Sequence, residues 1–206
     1  MNWRRFFFQA LLLDPSWRGG ALLLCALLFT NEGRAQTWRI AYYGETVTHY
    51  GLKVGTQYPL KTSERLKKTE ARVTRNWLFT PGVALYRHPQ NHVGLVVAPE
   101  ITYQRLGPKG GLLEAGIAPS YFRYFLEGQT YRVTPSGELQ KKAWAGRSTF
   151  LPTLSLGIGK DLSVKKRIPL AWYTRLNWSV QVPYNASFLP RVALEAGIIK
   201  KRLGTH

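Results

Sequence analysis

The sequence predicts an all-β chain closed into an antiparallel up-and-down transmembrane β-barrel of about eight strands. Three observations lead there: hydrophobic alternation of period two that recurs along the chain, small residues on the opposite face, and an N-terminal stretch laid out like an export signal.

The export signal comes first. Met1 to Arg5 carries two arginines, Ala21 to Phe29 is an uninterrupted apolar run, and Gly33-Arg34-Ala35 supplies small residues at a cleavage site before Gln36. A second apolar run, Phe6 to Leu13, is separated from the first by Asp14, Pro15 and Arg18, and neither run reaches the roughly 20 residues a membrane helix needs. Leu22-Leu23-Leu24-Cys25 is a poor lipoprotein signal, because the residue before the cysteine should be small. The expected organisation is a signal peptide over 1–35 and a barrel domain over 36–206.

Composition restricts the classes of protein this can be. The chain of 206 residues has a formal charge of +18, yet 13% of it is aromatic and 45% hydrophobic, which excludes a disordered basic tail. Removing residues 1–35 takes away four arginines and two acids, so about +16 stays with the folded part. Cys25, the one cysteine, falls in the signal, so the exported form has no intramolecular disulfide and no thiolate metal site.

The strands follow in order. Thr37 to Gly44 is a short first candidate. In the second, Tyr50, Leu52, Val54, Tyr58 and Leu60 oppose Gly51, Lys53, Gly55 and Gln57. Trp77, Phe79, Val83 and Leu85 oppose Asn76, Thr80, Gly82 and Ala84 in the third. The fourth, His92 to Gln104, is the clearest: Val93, Leu95, Val97, Pro99, Ile101 and Tyr103 alternate with small or polar residues. Leu113, Ala115, Ile117 and Tyr121 then oppose Glu114, Gly116, Ala118 and Ser120. Phe150, Leu154, Leu156 and Ile158 oppose Thr153, Ser155, Gly157 and Gly159. Leu170, Trp172, Leu176, Trp178 and Val180 oppose Tyr173, Arg175, Asn177, Ser179 and Gln181. In the last, Val192, Leu194, Ala196 and Ile198 oppose Arg191, Ala193, Glu195 and Gly197. An even number of strands suits a single-chain bacterial outer-membrane barrel, and a bilayer does not tolerate an open sheet edge.

Turn signals stand at His88 to Asn91, Arg105 to Gly110, Asp161 to Ile168 and Pro183 to Ser187. Two connections are longer, Lys61 to Arg75 and Glu127 to Arg147. With a periplasmic N-terminus the second falls outside the cell, whereas the first falls on the periplasmic side, which implies a miscounted first strand or extra hairpin structure within 61–75. Pro81, Pro99, Pro119, Pro152 and Pro190 share the greasy face. Since proline forfeits a ladder hydrogen bond, they are expected at strand ends or bulges, or in an irregular ladder.

Period two also describes soluble sandwiches and lipocalin-like barrels, so the character of the other face has to decide. It is rich in Gly, Ala, Ser and Thr with isolated charges, as in the crowded lumen of a narrow barrel, and lacks the dense charge of a soluble sheet. Trp38, Tyr42, Tyr43, Tyr50, Tyr58, Trp77, Tyr86, Tyr103, Tyr121, Trp172 and Tyr173 stand near segment ends and are expected to form aromatic girdles at the lipid–water interfaces.

Several stretches have a familiar look: Gln36 after the signal, Tyr42-Tyr43-Gly44-Glu45 to Gly51-Leu52, Tyr86-Arg87-His88-Pro89-Gln90-Asn91-His92 leading into Ala98-Pro99-Glu100, and Pro183-Tyr184-Asn185 followed by Leu189-Pro190-Arg191 and Leu194-Glu195-Ala196-Gly197. Over most of the exported chain they resemble a group of uncharacterised exported outer-membrane β-barrel proteins of Bacteroidota. The resemblance implies fold and location but no activity. The basic tail from Lys200 to His206 departs from the aromatic terminus usual in such barrels.

Parity places Lys53, Glu100, Glu114, Arg175, Arg191 and Glu195 on the small-residue face, hence in the lumen, where a charge needs a partner or water. A structural salt-bridge network is expected, with a polar channel or a small-ligand site as the functional alternative. Glu-Ala-Gly-Ile at 114–117 and again at 195–198 is shared strand grammar. His88 and His92 flank a turn and lack further ligands, so no metal site is expected. A lipid-modifying enzyme would need a set such as His49 with Ser148 or Ser187, but no Gly-x-Ser-x-Gly elbow exists and the expectation is no enzyme. No phosphate loop or full dinucleotide motif appears, and no cofactor is expected. The dispersed cations in Lys61–Arg75 and Lys165–Arg167 read as solvated loops, so nucleic acid is not the expected partner. Membrane lipids are, with lipopolysaccharide phosphates as a candidate for the basic loops. The expected role is structural, adhesive or narrow transport in the outer membrane, and the runner-up is a soluble periplasmic barrel holding an apolar ligand.

Overall fold

The computed structural model describes residues 37–46, 48–66, 72–141, 145–166, 168–185 and 187–201. The expected signal peptide lies outside them, as do residues 202–206 of the basic tail. Along the chain run β1 (Thr37–Glu45), β2 (His49–Leu66), β3 (Arg72–His88), β4 (His92–Leu106), β5 (Gly111–Leu126), β6 (Tyr131–Val133), β7 (Leu139–Lys141), β8 (Gly146–Asp161), the single helical turn α1 (Ser163–Lys166), β9 (Leu170–Tyr184) and β10 (Ser187–Lys200).

Eight of these strands close into a barrel in the order β1-β10-β9-β8-β5-β4-β3-β2, every pair antiparallel, and β6 with β7 forms a separate hairpin. Closure is made by β1 on β10, from Trp38 opposite Lys200 to Glu45 opposite Ala193. The expected fold is therefore the observed one. An even strand number brings Thr37 and Lys200 to one rim, together with the β2–β3, β4–β5 and β8–β9 connections. The other rim carries the β1–β2, β3–β4 and β9–β10 turns and the 127–145 excursion that holds the β6–β7 hairpin.

The alternation resolves as outside and inside. Leu52, Ile117, Leu154, Leu156, Ile158, Leu194 and Ile198 all face outward, Ile117 being 63% and Ile158 58% exposed. Their neighbours of opposite parity, among them Thr102, Glu114, Ser155, Arg175 and Glu195, are buried. A polar interior inside a greasy wall inverts the order of a soluble domain and is the order of a transmembrane barrel. The runner-up needs an apolar interior for its ligand, and the centre of this interior is ionic.

The structure decides the open alternative at residues 61–75 and corrects the placement of four tyrosines. Of the two alternatives for Lys61 to Arg75, the structure shows the extra hairpin: β2 and β3 continue past the barrel as a paired hairpin, from Lys61 opposite Trp77 to Leu66 opposite Arg72, with a bulge between Pro59 and Lys61. Apart from Val73 these residues are largely exposed, so little hydrophobic alternation marks them and backbone pairing extends them. Tyr43, Tyr86 and Tyr173 do not belong to an outer girdle, because they point inward and are 7%, 2% and 2% exposed. Tyr58 is also buried, against Phe79.

The prolines sit in mid-strand, in an irregular ladder. Pro81 opposes Pro99, Pro119 opposes Pro152 and Pro190 opposes Val180. Between β4 and β5 pairing stops at Val97 with Tyr121 and resumes at Ile101 with Ile117, which leaves Pro99 facing Pro119 across the gap. A like gap interrupts β8–β9 beside Pro152 and β2–β3 beside Pro81. Lacking an N–H, each proline turns its hydrogen-bonding edge to a seam where the ladder is open.

Candidate functional site

The lumen is filled by three layers of side chains. In the central layer every barrel strand contributes. Arg175 (β9) donates from Nη1 to Glu100 Oε1 (β4) at 2.7 Å and from Nε to Glu114 Oε2 (β5) at 2.7 Å, with Nη2 2.6 Å from the same oxygen. Arg39 (β1) donates to Glu114 Oε2 at 2.9 Å, and its guanidinium lies 4.0 Å above the Tyr173 ring. Lys53 (β2) donates to Glu195 Oε2 (β10) at 2.8 Å and stands 3.9 Å from Glu100. Neutral donors complete the carboxylates: Thr102 and Ser155 on Glu100, Gln104 on Glu114, Tyr173 and Asn177 on Glu195.

Three cations, Arg39, Lys53 and Arg175, thus face three carboxylates, Glu100, Glu114 and Glu195, and the layer is neutral. Charge balance, with hydrogen bonds to each carboxylate, is what lets charge survive burial in a narrow lumen. Chemically the layer is a lock, since each carboxylate is held by cations and neutral donors and offers no unengaged base to a substrate.

Close approach by glycine makes room for this packing. A Cβ on Gly116 would overlap the Glu100 carboxylate and Ser155 Oγ, and one on Gly94 would overlap the Tyr86 ring. Gly111, by contrast, has nothing within 4 Å of that position. Gly116→Val is expected to cost about 1–3 kcal/mol by overpacking, read as a lowered urea midpoint of the inserted barrel, while Gly111→Ala leaves the midpoint in place.

Nearer the loop-bearing rim, Arg191 (β10) centres a second layer. It pairs with Glu45 (β1), donates to the Tyr86 hydroxyl (β3) and to Gln181 Oε1 at 2.9 Å, and covers the Phe122 ring at 4.4 Å. Tyr86 stacks on Phe122 with centroids 6.0 Å apart, and Tyr43, Ala84, Val96, Ala98 and Leu151 pack the same level. Above it lie His49, His88 and His92, with His49 stacked on His88 at 3.8 Å and His92 beside Tyr124. Among the described residues no group of three His, Cys, Asp or Glu is arranged to hold a metal ion. On the rim itself Arg87 pairs with Glu127, and that hydrogen bond holds the Glu127 carboxyl below its ordinary value.

At the opposite end Asp161 takes an ion pair from Lys201 and hydrogen bonds from the Ser163 hydroxyl at 2.6 Å and amide at 2.9 Å. Apolar Leu112, Ala171, Tyr173 and Ile199 pack beneath, and Leu112, Ala171 and Ile199 line a small cavity of about 190 Å³ together with Gln57, Asn76 and Gln104.

Of the six lumen charges expected from parity, Lys53, Glu100, Glu114, Arg175 and Glu195 meet in the central layer. Arg191 belongs to the second layer, with Glu45. Sequence reasoning missed Arg39 and Glu45, although the alternation of Trp38, Ile40 and Tyr42 with Arg39, Ala41 and Tyr43 carries the signal. Of the enzymatic set, His49 faces the lumen, Ser148 lies on the outer face, where it accepts from the Tyr121 hydroxyl at 2.6 Å, and Ser187 stands exposed at the start of β10.

No family model matches the sequence, and no curated protein does. Among solved structures the chain is similar to the crystal structure of Neisserial surface protein A, with a TM-score of 0.45, 9% identity and coverage of 81% of this chain and 94% of that one. It is also similar to the outer membrane enzyme PagL, with a TM-score of 0.40, 12% identity and coverage of 82% and 99%. The β domain of the Bordetella autotransporter BrkA gives a TM-score of 0.32, 10% identity and coverage of 81% and 98%.

Proposed function

We propose that this chain is an exported outer-membrane β-barrel with a structural or adhesive role and no catalytic activity, in keeping with the Bacteroidota proteins its strand and turn motifs resemble. On this reading the lumen is closed to diffusion, and the rim carrying the β6–β7 hairpin faces outside the cell, since such barrels keep short turns toward the periplasm. The observation that carries the proposal is the pairing of an outward apolar wall with a neutral, ion-paired interior. Trp38, Tyr42, Tyr50 and Trp172, all 44% exposed or more, would supply the interfacial aromatics.

Structural or adhesive roles are favoured over narrow transport because Arg175, Arg39 and Tyr173 fill the middle of the bore and Arg191, Tyr86 and Phe122 fill the level above. Cell fractionation tests location: the protein stays with membranes through salt and alkaline washes and shifts on a gel when boiled, whereas recovery in the soluble periplasm rejects the reading. Planar-bilayer recording tests closure. The inserted protein is expected to give no sustained conductance in concentrated potassium chloride, and a reproducible open level would return the narrow-transport reading.

A further inference from the structure

The charge on the outer wall is distributed unequally between the two rims. At the rim that carries Thr37 and Lys200, five exposed cations stand on outward positions of five strands: Lys61, Arg75, Arg105, Lys160 and Lys200. Register places them beside interfacial aromatics. Lys61 opposes Trp77, Lys160 opposes Trp172 and Lys200 opposes Trp38. Arg75 opposes Arg105 one step beyond the same-face pair of Trp77 with Tyr103, whose rings are 5.3 Å apart.

None of the five has an ion-pair partner among the described residues. Glu64, the nearest carboxylate along β2, opposes Thr74 on the other face and is taken by Arg72. The loop-bearing rim differs. Its outward cations are already engaged, Arg87 by Glu127 and Arg123 by Ser148 Oγ at 3.3 Å and the Phe125 ring at 5.2 Å.

Two like charges directly opposed, as Arg75 and Arg105 are, repel each other and destabilise a sheet unless an anion lies between them. An amphipathic ring marks the level of the lipid–water boundary, and a cation on the strand-end side of it reaches the height of lipid phosphates. We propose that this rim is a collar for anionic glycerophospholipid headgroups, with the phosphates of several lipids bridging Arg75 to Arg105 and capping Lys160 and Lys200. The inference rests on the membrane reading given above and adds the lipid class and the leaflet: the collar lies on the side of the chain ends, away from the β6–β7 hairpin.

The test uses the exported protein in nanodiscs of phosphatidylcholine with a minority of phosphatidylglycerol, followed by native mass spectrometry of the lipids retained on gentle release. Phosphatidylglycerol is expected to be enriched roughly tenfold over its share of the disc, from the attraction each cation exerts on an anionic surface. Concentrated salt is expected to abolish the enrichment. The combined variant R75Q/R105Q/K160Q/K200Q is expected to fall to parity, and R87Q/R123Q on the other rim to keep the wild-type ratio. If the fourfold variant does not fold, R75Q alone and the salt titration of the wild type carry the same comparison. Equal retention of the two lipids by the wild type overturns the collar, as does enrichment that survives the fourfold substitution. Failure of the wild type to enter the disc is a different result, and it would sink the membrane reading itself.

Discussion

Arg175→Met is expected to destabilise the barrel by about 3–5 kcal/mol, the usual cost of removing one member of a buried ionic group and leaving its partners uncompensated. Arg175 supplies contacts to two carboxylates, so its loss leaves Glu100 with Lys53 at 3.9 Å as its remaining cation and Glu114 with Arg39 alone. Met keeps much of the volume, which separates the electrostatic effect from a cavity. Equilibrium urea unfolding from vesicles, followed by gel mobility without boiling, gives the number. The double variant R175M/E114Q removes a positive and a negative charge together and is expected to recover part of the loss. A double variant less stable than the single one would mean that the layer is not held by charge balance.

Leu194→Arg is the second large expectation, and it reports on the opposite wall. Leu194 is 41% exposed near the middle of β10 and lies in a same-face row with Leu176 and Leu156. Facing acyl chains at mid-depth, an arginine there costs about 2–4 kcal/mol. Were the wall facing water, a half-exposed leucine could accept the same change within about 0.5 kcal/mol. Leu139→Arg, at a 71% exposed position of the β6–β7 hairpin, is the matched control and is expected to be neutral. Equal midpoints for the two variants would place the wall in water.

The fold was legible in the sequence because burial imposes a period of two wherever a strand has one lipid face and one lumen face. That regularity sufficed to place Lys53, Glu100, Glu114, Arg175, Arg191 and Glu195 inside. It could not say which charges meet, because Arg39 and Glu114 are 75 residues apart and Lys53 and Glu195 are 142 apart, and only closure brings them together. Tyr43, Tyr86 and Tyr173 were misplaced because a tyrosine suits a crowded lumen and an interface equally well. The β2–β3 hairpin was legible only as one of two alternatives for 61–75, because apart from Val73 its residues are largely exposed and little selects alternating side chains there.

The central layer also bears on how the molecule assembles. Its cations and acids are brought together by closure, Lys53 from β2 meeting Glu195 from β10 on either side of β1, and Arg39 from β1 reaching across to Glu114 on β5. A half-built sheet of consecutive hairpins, such as β2 through β5, would carry Lys53, Glu100 and Glu114 without Arg39, Arg175 or Glu195. Uncompensated charge of that kind has no low-energy home in hydrocarbon. Intermediates are therefore confined to the aqueous surface, and crossing the bilayer and joining the first strand to the last become one kinetic event, slow for a topology of such distant contacts and without a populated halfway state inside the membrane.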